Sequence, residues 1–311
     1  MNDRCTLKAE RQFLLGALVC AVLLIVGYLV LVGTVWGHQV DDDGLFARKL
    51  VNRRIISLDS DILDLVNRAA LLAVAIVLLV VATFRRCILV GLISVAGFGC
   101  AVVGAEILKH ALPWRVLVSK DFLLESGFQR NTYPSGHATI GTTFVLSLLL
   151  VSSSRWRPWL AVAGGSVSST FATGVLFAGW HRPSDAIGAL VWSGLCMSMA
   201  AACAIRLRGR PRPVIARPER AAFASLTLAI LVVTGTWLIA AAGPPEYSHA
   251  DEPFFVLTAL MIGGAFSLIA WYAWQLRAVD WVADKAQGPH SAILLCCFVL
   301  VILSPGVQLM A

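Results

Sequence analysis

The chain has 311 residues, of which 58% are hydrophobic and only 14% are charged, and its mean hydropathy is +0.79. This composition excludes an ordinary soluble globular domain. The formal net charge of +7 is compatible with nucleic-acid binding. Basic clusters in so apolar a chain more often mark cytoplasmic loops or contacts with anionic lipid, so we expect no nucleic-acid partner.

Nine apolar stretches have about the length that a membrane-crossing helix needs, because a hydrocarbon core about 30 Å thick requires roughly 20 apolar residues. In chain order they are residues 13–33, 67–84, 87–108, 137–153, 158–178, 185–205, 220–242, 253–275 and 290–309. The first stretch is too long for a cleaved signal peptide, so we expect it to remain as an anchor. The predicted fold class is all-α and integral to the membrane.

Lysine and arginine collect in alternate loops, and such loops stay on the cytoplasmic side. The basic positions are Arg4, Lys8, Arg11, Arg85, Arg86, Arg155, Arg157, and a run of six arginines between 206 and 220. This pattern predicts a cytoplasmic N-terminus in the cell membrane, with loops 34–65 and 109–133 and the turn at His181 facing outward. Loop 34–65 mixes acidic and basic residues, and we expect it to form a lid or a surface helix.

The segment Pro134-Ser135-Gly136-His137 has the features of a helix start. Ser135 is a good N-cap, and Gly136 lets other groups approach the backbone closely. Free amides at a helix N-terminus bind anions, phosphate especially, and His137 would stand beside such an anion.

The segment from His181 to Asp185 combines a histidine with a carboxylate four residues later, and Pro183 suits the first turn of a helix. A carboxylate on one ring nitrogen leaves the other nitrogen basic, as nucleophilic catalysis requires. Two predicted spans separate His137 from His181, so both histidines return to the same membrane face. Lys109, at the end of the third span, opens onto that face as well.

These blocks, Lys109 with Arg115, Pro134 to His137 and His181 to Asp185, resemble in this order the three signatures of the type 2 phosphatidic acid phosphatase superfamily. The resemblance covers residues 67–205 and implies a six-helix lipid-phosphatase-like core. It does not explain the last three apolar stretches, which predict about three additional C-terminal transmembrane helices. The expected organisation is a core over residues 1–209, an Arg- and Pro-rich cytoplasmic linker over 210–220, and C-terminal helices over 221–311.

The resemblance implies a phosphatase that needs neither a metal nor another cofactor. His181 would attack phosphorus to form a phosphohistidine, Asp185 would orient His181, and His137 would protonate the leaving oxygen. The phosphoryl oxygens would be held by Ser135, Gly136, Lys109 and Arg115, where oriented donors and positive charge supply most of the catalysis.

Two features depart from the family pattern. Five residues rather than six separate Lys109 from Arg115, and Val116 rather than proline follows. The third signature also lacks its usual Ser-Arg pair, because Gly174 and Val175 occupy those positions. We expect Arg182 or Arg130 to replace the missing arginine if the site is active, since a bidentate phosphate donor is hard to omit.

The predicted reaction is hydrolysis of a lipid phosphate or pyrophosphate at the outer membrane face. A prenyl pyrophosphate or a phospholipid phosphate would fit as the membrane partner. Two alternatives remain open: transfer of the phosphoryl group to an acceptor hydroxyl, and a lipid-binding or transport protein that keeps the fold without catalysis. Gly174 and Val175 motivate the second alternative.

Overall fold

The computed structural model describes residues 3–113, 131–211 and 252–281, and these ranges are almost entirely helical. The elements are α1 (Asp3–Gly27, continued by the π-helical turn Tyr28–Val32), α2 (Val35–Phe46, followed by the 3₁₀ turn Ala47–Leu50), α3 (Arg53–Asp64), α4 (Arg68–Phe84), α5 (Ile88–Ala111), α6 (Gly136–Val151), α7 (Arg157–Phe177), α8 (Pro183–Arg208), β1 (Gly209–Pro211), α9 (Glu252–Leu276) and β2 (Val279–Trp281). The two short strands pair antiparallel.

The seven predicted spans that fall within these ranges all coincide with helices. Five helices, namely α1 with its π-helical turn, α5, α7, α8 and α9, are long and apolar enough to cross a membrane. A sixth is added if α3 and α4, which meet at a 70° bend, count as one broken span. These helices are compatible with a multi-pass membrane protein. The predicted spans 220–242 and 290–309 lie outside the described residues.

Helix α8 is the centre of the bundle and contacts α1, α5, α6, α7 and α9, with the most extensive contact made to α1. Its buried positions are mainly small residues, including Gly188, Gly194, Ala201 and Ala204. Small side chains let helix backbones approach closely, which is the usual basis of helix association within a bilayer.

One end of the bundle is closed around the C-terminus of α6. The carbonyls of residues 149–151 accept hydrogen bonds from Arg157, Trp281 and Arg85, at 3.3, 2.7 and 2.8 Å respectively. These carbonyls belong to the last turn of the helix, where the helix itself provides no donor. Three side chains from other elements therefore fix this end of α6.

Loop 34–65, predicted to form a lid or a surface helix, forms two helices packed on the bundle. One face of α2 is buried and lies against α8 and α9, and Gly44 permits close contact because a Cβ there would lie 3.1 Å from Pro183. Helix α3 packs against α7. This segment therefore forms part of the wall at the end of the bundle where His137 and His181 lie.

Candidate functional site

Four helix ends meet at this end of the bundle: the C-termini of α5 and α7 and the N-termini of α6 and α8. The end of α5 carries Lys109, and the turn that follows α7 carries His181. The first turn of α6 carries Gly136 and His137, and the first turn of α8 carries Asp185. The alternation of spans predicted this grouping, and the structure brings these residues together. Two of the predicted phosphate contacts, Arg115 and Arg130, lie outside the described residues.

The turn before His181 is fixed by backbone hydrogen bonds. The amide of Trp180 donates to the carbonyl of Val175 at 2.9 Å, and the amide of Gly179 donates to that of Leu176 at 2.9 Å. With Gly179 at a φ of +73°, this is the Schellman arrangement that ends many helices, and it favours glycine at that position. The amide of His181 donates to Val175 as well, at 3.1 Å. His181 is therefore held at a fixed distance from the end of α7.

Asp185 orients His181 from the first turn of α8. Its Oδ2 lies 3.0 Å from Nδ1 of His181, which is the hydrogen bond that the four-residue spacing predicts. The same oxygen accepts from the backbone amide of Arg182 at 3.1 Å, half of a capping box. Both side chains are largely buried, with His181 8% and Asp185 2% exposed. The imidazole is therefore held in one orientation by a carboxylate that is itself fixed.

Thr132 provides a third hydrogen bond to the same oxygen, with its Oγ1 2.6 Å from Oδ2 of Asp185. The amide of Ser135 also donates to the backbone carbonyl of Asp185, at 2.9 Å. The loop before α6 is thus joined to the first turn of α8. Sequence reasoning missed Thr132, because it lies 53 residues before Asp185 and belongs to no recognisable motif.

The start of α6 has the predicted cap. Oγ of Ser135 accepts from the amide of Ala138 at 3.5 Å, and Ser135 is fully buried. The first turn leaves the amides of Gly136 and His137 without an acceptor in the helix, so they are suited to an anion. Ser135 therefore caps the helix. Gly136 and His137 are only half-buried, so they are the accessible part of this segment.

Lys109 reaches the start of α6 from the end of α5. A Cβ on Gly136 would lie 3.4 Å from Nζ of Lys109 and 3.2 Å from Oε1 of Glu106. The two charged groups pair with each other at 2.6 Å. The glycine thus lets an ammonium group approach the helix N-terminus. Glu106 is a further polar residue that sequence reasoning missed, although its spacing of three residues from Lys109 on one helix face is a detectable signal.

His137 lies between the two halves of the site. Its ring centroid is 5.2 Å from the ring of Trp180, the residue before His181. It interacts electrostatically with His181, Lys109 and Glu106. The two histidines and the lysine therefore form one cluster, as their shared face predicted.

Arg182, one of the two proposed replacements for the missing arginine, contacts α2 instead. Its Nε lies 2.7 Å from Oδ1 of Asp42, and the residue is only 2% exposed. The side chain of neighbouring Asp41 accepts from Ser184, at the start of α8. Burial raises the pKa of the Asp41 carboxyl to about 8, with the charge of Asp185 acting in the same direction. Arg182 therefore holds α2 in place.

Gly174 and Val175, where the resembled family has a Ser-Arg pair, lie against the α2–α3 segment. Val175 is fully buried in a hydrophobic cluster with Leu45 and Leu176. A Cβ on Gly174 would lie 3.5 Å from Cβ of Asp59, on α3. Both positions are therefore occupied by packing of the α2–α3 segment against α7.

The fold and the site define a helical bundle with several helices long and apolar enough to cross a membrane and with a polar cluster at one end. The cluster combines an imidazole oriented by a carboxylate, a second imidazole and an ammonium group at a helix N-terminus, which suits an anionic substrate and nucleophilic chemistry. Among the described residues, no group of three or more His, Cys, Asp or Glu side chains is arranged to hold a metal ion. Compared with known proteins, the chain matches no family model, no curated protein and no solved structure.

Proposed function

We propose that this protein is a metal-independent phosphatase of the type 2 phosphatidic acid phosphatase superfamily that hydrolyses a lipid phosphate or pyrophosphate. The observation that carries the proposal is the 3.0 Å contact between Nδ1 of His181 and Oδ2 of Asp185. With Nδ1 protonated and donating to the carboxylate, Nε2 keeps its lone pair and can act as a nucleophile.

In the proposed reaction, Nε2 of His181 attacks phosphorus and the bond to the leaving oxygen breaks. His137, whose protonated form is favoured by the negative charge of the bound phosphate, gives that oxygen its proton. The lipid alcohol, or the shorter lipid phosphate, then departs and leaves a phosphohistidine. Water attacks the phosphohistidine, with His137 accepting its proton, and inorganic phosphate is released. Asp185 stabilises the positive charge that the His181 ring carries in the intermediate.

The phosphoryl group would lie at the N-terminus of α6, where the amides of Gly136 and His137 point toward an anion. Lys109 is close enough to neutralise part of its charge. A site at the end of a membrane-type bundle suits a lipid substrate, whose chain stays in the bilayer while its head group reaches the histidines. Prenyl pyrophosphate and phosphatidic acid are the first substrates to test.

The test is phosphate release by the purified protein in EDTA, with a panel of lipid phosphates and pyrophosphates. We expect His181→Ala and His137→Ala to abolish release. His110→Ala is the matched control, since His110 is an exposed histidine next to Lys109 and should be dispensable. Full activity in His181→Ala would rule out the phosphohistidine mechanism.

The same assay separates the two alternatives. A phosphotransferase would release little phosphate until an acceptor such as a sugar is supplied, because the acceptor hydroxyl would replace water in the second step. A lipid-binding or transport protein would release none with any acceptor.

The site is proposed to face outward from the cell membrane, because the basic loops lie at the other end of the bundle. Single cysteines at Ser57, near the site, and at Arg155, at the opposite end, test this with a membrane-impermeant reagent in a cysteine-free background. Labelling of intact cells at position 57 and not at 155 is expected. The reverse pattern would overturn the orientation without affecting the chemistry.

A further inference from the structure

Arg48 places its guanidinium on the turn that carries His181. The Nη1, Cζ and Nη2 atoms of Arg48 are the three nearest to the place where a Cβ of Gly179 would stand. Gly179 lies two residues before His181 and has a φ of +73°. The guanidinium thus occupies the space that a side chain at position 179 would take, and the glycine is what permits this close approach.

The segment that carries Arg48 is anchored to the elements that flank this turn, the start of α8 and the end of α7. Before it, α2 is tied to the start of α8 by the contacts of Asp41 with Ser184 and of Asp42 with Arg182. Within it, Ala47 is only 1% exposed and belongs to the buried cluster of Val175 and Leu176. The backbone next to Arg48 is therefore held against the end of α7, so its side chain starts from a fixed position.

Arg48 has no counter-ion within the part of the chain that the structure describes: no carboxylate there lies within ion-pair distance of it. Its side chain is half-buried. Arg182, by contrast, is paired with Asp42. A half-buried guanidinium without a carboxylate partner favours an anion, and its planar set of donors matches two phosphoryl oxygens.

We propose that Arg48 is a phosphoryl-binding residue of this site and takes up the anionic group of a phosphate ester or pyrophosphate beside His181. The assignment rests on the proposed function for its substrate class. With this assignment, the site receives its arginine from the segment between α2 and α3. The position on α7 where the resembled family has an arginine is Val175, which is buried in the core. Arg48 would approach the phosphoryl group from the α7 side, and Lys109 from the α6 side.

A structural role for Arg48 makes a different prediction. The end of α7 carries partial negative charge, and a cation there stabilises a helix through its dipole. If this were the whole role of Arg48, its removal would lower the thermal midpoint of unfolding and leave anion affinity unchanged. Anion affinity and thermal stability must therefore be measured on the same variants.

The experiment uses the full chain in detergent micelles with Arg48→Ala, Arg48→Lys and Arg48→Gln. Lys49→Ala is the matched control, because Lys49 is an exposed cation on the same short turn. Two quantities are measured: kcat/KM for the best lipid phosphate, and the orthovanadate concentration that half-saturates protection against thermal unfolding. Vanadate serves as the probe because it resembles a phosphoryl group in transfer.

We expect Arg48→Ala and Arg48→Gln to lower kcat/KM by about 10²-fold, the typical effect of removing one oriented donor, and to weaken vanadate binding. Arg48→Lys should fall between wild type and Arg48→Ala, since an ammonium keeps the charge without the paired donors. Lys49→Ala should match wild type. If Arg48→Ala does not fold, Arg48→Lys and Arg48→Gln carry the same test.

The inference is overturned if the Arg48 variants bind vanadate as tightly as Lys49→Ala, whatever their thermal stability. The role of Arg48 fails, and the proposed function stands, if wild type hydrolyses lipid phosphate and the Arg48 variants are equally active. The proposed function fails alone if wild type hydrolyses no lipid but binds vanadate in a manner that depends on Arg48. Both fail if wild type neither hydrolyses lipid nor binds vanadate.

Discussion

Asp41 on α2 accepts two hydrogen bonds from Ser184 at the start of α8: Oδ1 lies 2.8 Å from the amide nitrogen and Oδ2 lies 2.5 Å from Oγ. A helix N-terminus has free amides, and here a carboxyl group from another helix satisfies one of them. Because Asp185 is the next residue along α8, this contact supports the residue that orients His181. The position of α2 is therefore coupled to the geometry of the site.

The Asp41 contact predicts a dependence of stability on pH. Burial raises the pKa of this carboxyl from 3.8 to about 8 in the folded protein. A group whose pKa is raised by folding stabilises the protein fully below its unfolded value and loses that contribution as pH rises through the folded value. We expect the thermal midpoint to fall between about pH 4 and about pH 8.

The substitution Asp41→Asn should reduce this slope, because the amide resembles the protonated carboxyl and does not titrate. The control is Asp61→Asn, since Asp61 is exposed on α3. Thermal unfolding followed by intrinsic tryptophan fluorescence across this pH range measures both variants. An unchanged slope in Asp41→Asn would mean that other groups set the pH dependence.

Thr132→Ala should lower turnover without preventing folding. The change removes the 2.6 Å hydrogen bond from Oγ1 to Oδ2 of Asp185, and hydrogen bonds to charged acceptors contribute about 1.5–3 kcal/mol. If this energy acts mainly on the orientation of His181, kcat falls by about 10- to 100-fold and KM changes little. Thr132→Ser should restore most of the activity because it keeps the hydroxyl. Equal activity in Thr132→Ala and wild type would contradict a role in orienting Asp185.

Glu106→Gln should strengthen anion binding at the start of α6. The carboxylate pairs with Lys109 at 2.6 Å and lies close to Gly136, so its charge opposes an incoming phosphate. The amide keeps a hydrogen-bond acceptor for Lys109 and removes the charge. We expect inhibition by inorganic phosphate to become several-fold stronger. Glu10→Gln, at the opposite end of the bundle, is the control, and weaker inhibition in Glu106→Gln would show that Glu106 mainly positions Lys109.

Gly188→Ala should destabilise the protein and disturb the site together. A Cβ at this position would overlap the ring of Tyr133, which is fully buried next to Thr132. Overpacking of this kind costs about 1–3 kcal/mol. Gly99→Ala is the control, since a Cβ there meets nothing within 4 Å. We expect Gly188→Ala to have a lower thermal midpoint and to release less phosphate than wild type, and Gly99→Ala to match wild type in both. Equal midpoints for the two variants would contradict the packing argument.

The helices and the local contacts of the site could be predicted from the sequence because their signals are short in range. A run of about 20 apolar residues identifies a membrane helix wherever it occurs. The contact of His181 with Asp185 spans four residues, and the cap of α6 by Ser135 spans three. Such spacings are set by helix geometry alone.

The contacts that secure the site could not be predicted, because they join distant parts of the chain. Asp42 and Arg182 are 140 residues apart, and Asp41 and Ser184 are 143 apart. In the sequence, Arg182 adjoins His181 and was expected to bind phosphate. In the structure its side chain pairs with Asp42 on α2, and the backbone of Arg182 is extended before Pro183 at the start of α8. Sequence proximity to His181 does not determine which way the Arg182 side chain points.

Tyr133 has a consequence for how the protein can be divided. Its hydroxyl donates to the carbonyl of Leu24 on α1, 109 residues earlier, at 3.1 Å. Helix α1 lies before residues 67–205 in the sequence. It nevertheless supplies this acceptor and makes the most extensive contact with α8. A fragment that starts at residue 67 would expose that face of α8 and leave a buried hydroxyl without its acceptor. The smallest fragment to express is therefore longer than residues 67–205.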